Sequence, residues 1–252
     1  DIAAFFDQLS HAAILTELAK VVADGNILEL VRRFLCAGVM ESGKYQPTRV
    51  GTPQGGVISP LLANIALNRM DQTLEQAGFR FVRYADDFVV LCKSRHRAKE
   101  AMELITRLLA DQMTLTLSPE KTRITTFREG FAFLGFQIGA WTIRMRDKSV
   151  EKFKDKVRTI TTRSHNLDAQ MITKLNRVIR GTANYFCQPW SACSNMYRTL
   201  DRWIRMRLRC MKTKRKSAED NRRLRLAHLE RMGLLTLSSF LTPRADRIRG
   251  SP

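Results

Sequence analysis

Apolar and polar positions change period several times along the chain, and each change marks an element. Behind Ser10, a residue suited to accept the free N–H groups of a first helical turn, Ile14, Leu15, Leu18 and Val22 recur at helical spacing. A second amphipathic helix is predicted over residues 27–35, ending before Gly38. Ser59 followed by Pro60 predicts a third, because proline's fixed φ and missing N–H suit the first helical position; Leu61, Leu62, Ile65 and Met70 mark its buried side. From Phe79 the period falls to two through Arg80, Phe81, Val82, Arg83 and Tyr84, breaks at Ala85-Asp86-Asp87, and resumes from Phe88 to Cys92. That is the pattern of a β-hairpin with two carboxylates at its tip. A helix carrying Ala98, Met102, Ile105, Leu108 and Leu109 follows, then strands around residues 115–117, 124–127 and 131–138. Beyond Trp141 the pattern turns mainly helical and heavily charged. The fold expected is α+β, with an α+β domain over 1–141, a basic helical domain over 142–216 and a basic extension over 217–252.

Composition changes this picture in one respect. The 252 residues are 44% hydrophobic, enough for a real core, but carry 43 Lys and Arg against 24 Asp and Glu, net +19. Residues 142–252 hold 27 of the basic and 9 of the acidic groups, net +18, so nearly the whole excess falls in the helical part. A polyanionic partner is implied there. No apolar run approaches the roughly 20 residues that cross a bilayer, and the first residues lack the basic and long apolar regions of a signal peptide, so a cytoplasmic protein without a membrane partner is expected. The cysteines, Cys36, Cys92, Cys187, Cys193 and Cys210, are odd in number and far apart, and the four histidines are scattered, so neither a disulfide framework nor a zinc site is indicated.

Two adjacent aspartates repel, and one pKa rises unless a cation neutralises them; a divalent metal is the simplest remedy. For an isolated Asp-Asp pair a solvated turn is the favoured reading, since aspartate is common there. The surrounding segments decide between the two. Residues 1–7, Gly51-Thr52-Pro53-Gln54-Gly55-Gly56-Val57-Ile58-Ser59-Pro60 and Tyr84-Ala85-Asp86-Asp87, in that order, together resemble the palm of reverse transcriptases, most closely those encoded by group II introns. The resemblance implies a polymerase palm with partial fingers and makes Asp1, Asp86 and Asp87 the catalytic carboxylates. Asp1 and Asp86 would bridge two Mg²⁺ ions, with Asp87 a third ligand or an orienter of the primer end. Carboxylates serve an in-line displacement at phosphorus because paired Mg²⁺ stabilises both the attacking and the departing oxygen.

The same resemblance assigns further roles. Phe6 would fill the space of a 2′-hydroxyl and favour deoxynucleotides, although Phe5 and Phe6 also read as core residues pointing to opposite faces of one strand. Gln54, Gly55 and Tyr84 would contact the incoming nucleotide; Gly55 and Gly56 permit close backbone approach, and helix capping accounts for the glycines as well. In Leu117-Ser118-Pro119-Glu120-Lys121-Thr122, Lys121 would approach the pyrophosphate as charge partner or general acid. Phe133-Leu134-Gly135-Phe136 resembles the hairpin where the primer grip lies, and there packing outweighs chemistry.

In the basic half, Leu167, Met171, Ile172, Leu175, Val178 and Ile179 define one helical face, with Lys174, Arg177 and Arg180 away from it. On the next helix Arg198, Arg202, Arg205 and Arg209 form a stripe opposite Met196, Leu200, Trp203 and Ile204, and Lys212, Lys214, Arg215 and Lys216 continue it. Charge runs are usually solvated faces, but arginines with few intervening acids repel unless an anion joins them. Phosphate supplies that anion. The runs Leu175-Asn176-Arg177-Val178-Ile179-Arg180-Gly181-Thr182-Ala183-Asn184-Tyr185-Phe186 and Leu200-Asp201-Arg202-Trp203-Ile204-Arg205 resemble the thumb, or maturase domain, of group II intron proteins, with Thr182 where relatives commonly carry tryptophan.

The resemblance implies RNA-directed DNA synthesis from a 3′-hydroxyl primer, with dNTPs, an RNA template with DNA primer, intron RNA and target DNA as partners, and splicing assistance through RNA stabilisation. Family members carry fingers segments ahead of the first aspartate, so either a longer parent chain or a degenerate fingers element is expected. A non-catalytic RNA-binding maturase remnant, and a related enzyme acting outside an intron in defence or repair, are the alternatives. Residues 234–252 lack the Cys/His pattern of an HNH nuclease, so no DNA-cleaving domain is expected.

Overall fold

The computed structural model describes residues 1–41, 44–46, 48, 50–52, 56–214, 222 and 224–241. The chain forms two compact units, Asp1–Ile124 and Thr125–Pro252.

In the first unit, the start is extended: Ile2 bridges Leu117 antiparallel, the Ala3 N–H donates to the Thr116 carbonyl at 2.9 Å, and the Ser118 N–H to that of Asp1 at 3.0 Å. The expected strand over 115–117 is thus a single bridge. Ala4, at φ 42°, turns the chain into a one-turn helix α1 (Phe5–Gln8), so Phe5 and Phe6 stand on a helical turn rather than on one strand. Helices α2 (His11–Ala19) and α3 (Gly25–Cys36) begin at side-chain caps, Ser10 accepting from the Ala13 N–H and Asp24 from that of Asn26. A hairpin of β1 (Val39–Glu41) and β2 (Lys44–Gln46) follows.

Helix α4 (Ser59–Gln76) is the centre of this unit, packing against α2, α5 (Arg95–Met113) and strand β3 (Arg80–Tyr84). Leu62, Ala63, Ala66, Leu67, Met70 and Leu74 are buried, while Leu61, expected inside, is exposed. Ala63 and Ala66 lie on the buried side, so the buried arc is centred away from Leu61. Likewise α5, capped by Ser94 on the Arg97 N–H, buries Ala101, Ile105, Leu108, Leu109 and Met113 and leaves Met102 on its rim.

No strand covers 124–127. The Glu129 carboxylate accepts from the Thr126 N–H at 2.9 Å, and the Gly130 N–H donates to the Thr126 carbonyl at 2.9 Å, so local side-chain bonding takes these groups into a turn instead of a ladder.

In the second unit β5 (Phe131–Phe133), β6 (Phe136–Ile138) and β7 (Ile143–Met145) form an antiparallel sheet in that order, β7 being an element the periodicity had not shown. Helices α6 (Asp147–Ile160), α7 (Ala169–Phe186), α8 (Ser194–Thr213) and α9 (Leu226–Arg231) and a 3₁₀ turn η1 (Leu237–Phe240) complete it. The sheet belongs here because Phe136 packs on Tyr185, Phe186 and Trp190, with ring centroids 5.7, 4.9 and 5.1 Å away. The compact units part at 124/125.

Two polar side chains fasten the tail of the chain to its helices. Asp201, 3% exposed on α8, accepts from the Leu237 N–H at 2.7 Å, the Ser238 N–H at 3.0 Å and the Ser238 hydroxyl at 2.6 Å. Asn176 on α7 donates to the Gly233 carbonyl at 2.7 Å and accepts from the Leu235 N–H at 2.9 Å. The cysteines are free thiols, and no described helix is long and apolar enough to cross a membrane.

Candidate active site and nucleic-acid interface

The hairpin of β3 and β4 (Asp87–Leu91) pairs Tyr84 with Asp87, which leaves Ala85 and Asp86 as a two-residue turn. Ala85 sits at φ 53°, the left-handed conformation such a turn demands and one that costs a non-glycine residue about 1–2 kcal/mol. Arg83 holds this turn. Its guanidinium meets Asp71 of α4 with Nε at 2.8 Å from Oδ1 and Nη2 on Oδ2, while Nη1 donates to Asn64 Oδ1 at 2.9 Å and to the Ala85 carbonyl at 3.0 Å. Sequence reasoning missed this clamp. Its signal was present: Asn64 and Asp71 stand seven apart, two turns along one helix face, and an arginine directly precedes the Tyr-Ala-Asp-Asp run.

Asp1 is held on the extended start beside residues 116–118, and its Oδ2 lies 2.9 Å from Lys121 Nζ, with the two side chains 21% and 65% exposed. Asp87 lies within the field of Asp86 and of Lys121. Burial raises the Asp87 carboxyl above its ordinary value, with Asp86 adding to the rise and Lys121 opposing it. The structure thus brings Asp1, Asp86, Asp87 and Lys121 into one electrostatic neighbourhood. Among the described residues no three His, Cys, Asp or Glu side chains converge as a ready-made metal cage. Mg²⁺ does not require one, since it is commonly bound through one or two carboxylates with water and substrate phosphates completing its shell. An all-carboxylate donor set suits it in kind.

Phe6 is half-buried against the core, edge-on to Phe5 at 5.3 Å, and its carbonyl accepts from the Thr52 N–H at 2.7 Å. Gly51, at φ +83°, presses on the same turn: a Cβ there would stand 2.6 Å from the Asp7 carbonyl and 2.7 Å from that of Phe6, so no larger residue fits. The loop entering the Pro-Gln-Gly motif is thereby pinned to the turn that carries Phe6. Gln54 and Gly55 lie outside the described residues. Tyr84 is 67% exposed beside Asp87.

In the second unit, Lys174, Arg177 and Arg180 are exposed along α7, as are Arg198, Arg202 and Lys212 on α8. The predicted stripe is not wholly free. Arg205 is partly buried, and Arg209 Nε donates to the Leu224 carbonyl at 3.1 Å; burial, with Arg205 beside it, pulls Arg209 below its ordinary guanidinium value. The Lys214 ammonium bonds the Arg163 carbonyl, and Arg215 and Lys216 lie outside the described residues. A segment after α8, at Leu224, and one before it, at Arg163, occupy these two side chains, and periodicity encodes neither contact. The packing side also differs: Tyr197, Leu200, Asp201, Ile204, Leu208 and Met211 are buried, while Met196 and Trp203 are only partly so.

The site thus combines a carboxylate pair on a clamped hairpin with a third carboxylate on a neighbouring bridge, in a chain whose second unit is basic and helical. Residues 1–138 match the family model for reverse transcriptase (RNA-dependent DNA polymerase), and the chain belongs to that family; residues 150–228 match the group II intron maturase-specific domain. Among curated relatives, Protein YkfC of Escherichia coli is 28% identical over 172 residues, covering 55% of this chain and 45% of that protein. Group II intron-encoded protein LtrA of Lactococcus lactis is 25% identical over 244 residues, covering 71% and 39%. The putative COX1/OXI3 intron 1 protein of Saccharomyces cerevisiae is 27% identical over 240 residues, covering 73% and 28%. The chain therefore spans less than half the length of these relatives.

Proposed function

We propose that the chain is the palm and maturase portion of an RNA-directed DNA polymerase that extends a 3′-hydroxyl primer on an RNA template and binds group II intron RNA to assist its splicing. The observation that carries this reading is the gathering of Asp1, Asp86, Asp87 and Lys121 in one field within a chain of the reverse transcriptase family. Asp1 and Asp86 would hold two Mg²⁺ ions, with Asp87 the third ligand, and bound Mg²⁺ supplies charge stabilisation at the attacking and departing oxygens. The chain's own groups do the rest. The Arg83 clamp fixes where the aspartates stand, which sets the approach of a primer end. Lys121, more than half exposed while touching Asp1, would share its charge with a departing pyrophosphate. Phe6, tied through its carbonyl to Thr52, would bear on the sugar of an incoming dNTP. The exposed cations of α7 and α8 would contact RNA phosphates, a sequence-independent and salt-sensitive interaction.

The test is primer extension on poly(rA)/oligo(dT) with Mg²⁺, by the chain and by a version extended upstream, each beside its Asp86→Ala variant. Extension that the variant lacks supports the polymerase. A second reading, a non-catalytic RNA-binding maturase remnant, draws on the missing three-ligand cage among the described residues. Extension by neither version, with RNA binding intact, would establish that reading instead.

A further inference from the structure

Between the β5–β7 sheet and the end of α7 the second unit contains a cleft of about 400 Å³, lined by Phe136, Tyr185, Trp190, Asn184 and Gln188 among others. That volume lies within the range of small-molecule sites. Its aromatic walls are rigid. Tyr185 lies nearly parallel to Phe136, at an interplanar angle of 27°, and its hydroxyl is fixed by donating to the Leu134 carbonyl at 2.9 Å. Yet Tyr185 and Trp190 remain 49% and 55% exposed, so the fold anchors two large rings without covering them.

The polar groups of the cleft are of one kind. Gln188 Nε2 donates to the Asn184 and Tyr185 carbonyls, both at 3.2 Å, which fixes its amide and leaves its oxygen as an acceptor. Asn184 is exposed, and its side-chain amide has no partner among the described residues. Planar rings beside amide donors and acceptors suit a planar heteroaromatic ligand with hydrogen-bonding edges.

Charge identifies what carries that ligand. Residues 169–200 contain four basic side chains and no acidic one. Lys174, Arg177 and Arg180 are exposed on α7 and lead, at helical spacing, to Asn184. Gly181 lies on this path. A Cβ there would meet nothing within 4 Å, so packing does not require glycine, although glycine inside a helix costs about 1 kcal/mol relative to alanine. A partner's backbone lying close against the helix would account for it.

We propose that this cleft takes an unpaired nucleobase of a single-stranded RNA, stacked against Tyr185 and Trp190 and read at its edge by Asn184 and Gln188, while the flanking phosphates follow Lys174, Arg177 and Arg180. The proposal rests on the reading of this unit as RNA-binding and adds a specific subsite to it. An apolar peptide would gain nothing from the cations, and a paired duplex presents no free base face.

The experiment compares the full chain with Trp190→Ala, Trp190→Phe and an Arg177→Ala/Arg180→Ala double variant, after thermal melts confirm folding. Each is titrated with a labelled single-stranded oligouridylate and with the same backbone lacking bases. Trp190→Ala should weaken oligouridylate binding by about 5- to 100-fold, the range for losing one base–aromatic stack, and leave the abasic strand unaffected. Trp190→Phe should restore most of the loss, and the double arginine variant should weaken both strands. Unchanged oligouridylate binding by Trp190→Ala, or an equal loss on the abasic strand, overturns the nucleobase subsite while RNA binding stands. If the double arginine variant also binds both strands as the parent does, the phosphate path along α7 fails with it, whereas a parent that binds neither strand sinks the RNA-binding reading itself.

Discussion

Removing the Arg83 guanidinium tests how the hairpin tip is positioned. In Arg83→Ala the Asp71 carboxylate, 21% exposed, loses its bidentate partner, and the Ala85 carbonyl and Asn64 each lose a donor. Breaking a fully buried pair costs about 3–5 kcal/mol; the residual accessibility of Asp71 places this one lower, at about 2–3 kcal/mol. For a unit of this size that lowers the melting temperature by roughly 8–15 °C. Arg83→Lys should cost about 1–2 kcal/mol, because one ammonium cannot reach Asp71, Asn64 and Ala85 together. Without the clamp the turn is no longer tied to α4 through the Ala85 carbonyl, and Asp86 moves with it. Displacement of about 1 Å at a reacting centre costs on the order of 100-fold in rate. Primer extension at saturating dNTP, normalised to folded protein by the melt, should therefore fall by at least about 10-fold in Arg83→Ala, with kcat affected more than KM. A double-mutant cycle with Asp71→Ala should show strong coupling. Lost stability with an unchanged normalised rate would reduce the clamp to a purely structural contact, and an unchanged melt would refute the energetics as well.

Asp87→Asn probes the burial of that carboxyl. Because its folded pKa is raised, the stability it contributes is fully present below the ordinary aspartate value of about 3.9 and is lost as pH rises through the raised value. At pH 7 the ionised group is a cost, so the variant should melt above the parent there, match it near pH 3, and extend no primer; a lower melt at pH 7 would contradict the assignment. Asp201→Ala leaves two backbone N–H groups and a hydroxyl without their carboxylate and should destabilise the second unit by about 3–4 kcal/mol in urea titrations, a loss under 1 kcal/mol being incompatible with its hydrogen bonds. Tyr197→Phe should be neutral or stabilising by up to about 1 kcal/mol, because the buried hydroxyl has no partner among the described residues; a clear loss in the same titrations would mean that it has one.

The sequence by itself determined what depends on local pattern. Period two and a polar break define the hairpin that carries Asp86 and Asp87, and Ser10 caps the helix that the spacing behind it predicts. Motif order along the chain was enough to reach the reverse transcriptase family, since that order is a property of one dimension. Tertiary structure decided the rest, because contacts between distant residues leave no period. Arg83 reads as an ordinary strand residue until α4 brings Asn64 and Asp71 to it, and Arg209 and Lys214 read as a free basic stripe until the Leu224 and Arg163 carbonyls engage them. Residues 131–145 sit in the second unit rather than with the palm motifs before them because Phe136 finds its aromatic partners some fifty positions downstream. Burial is a sum over neighbours in space, and the choice among apolar faces of similar strength, as at Leu61 or Met102, is made only when those neighbours arrive.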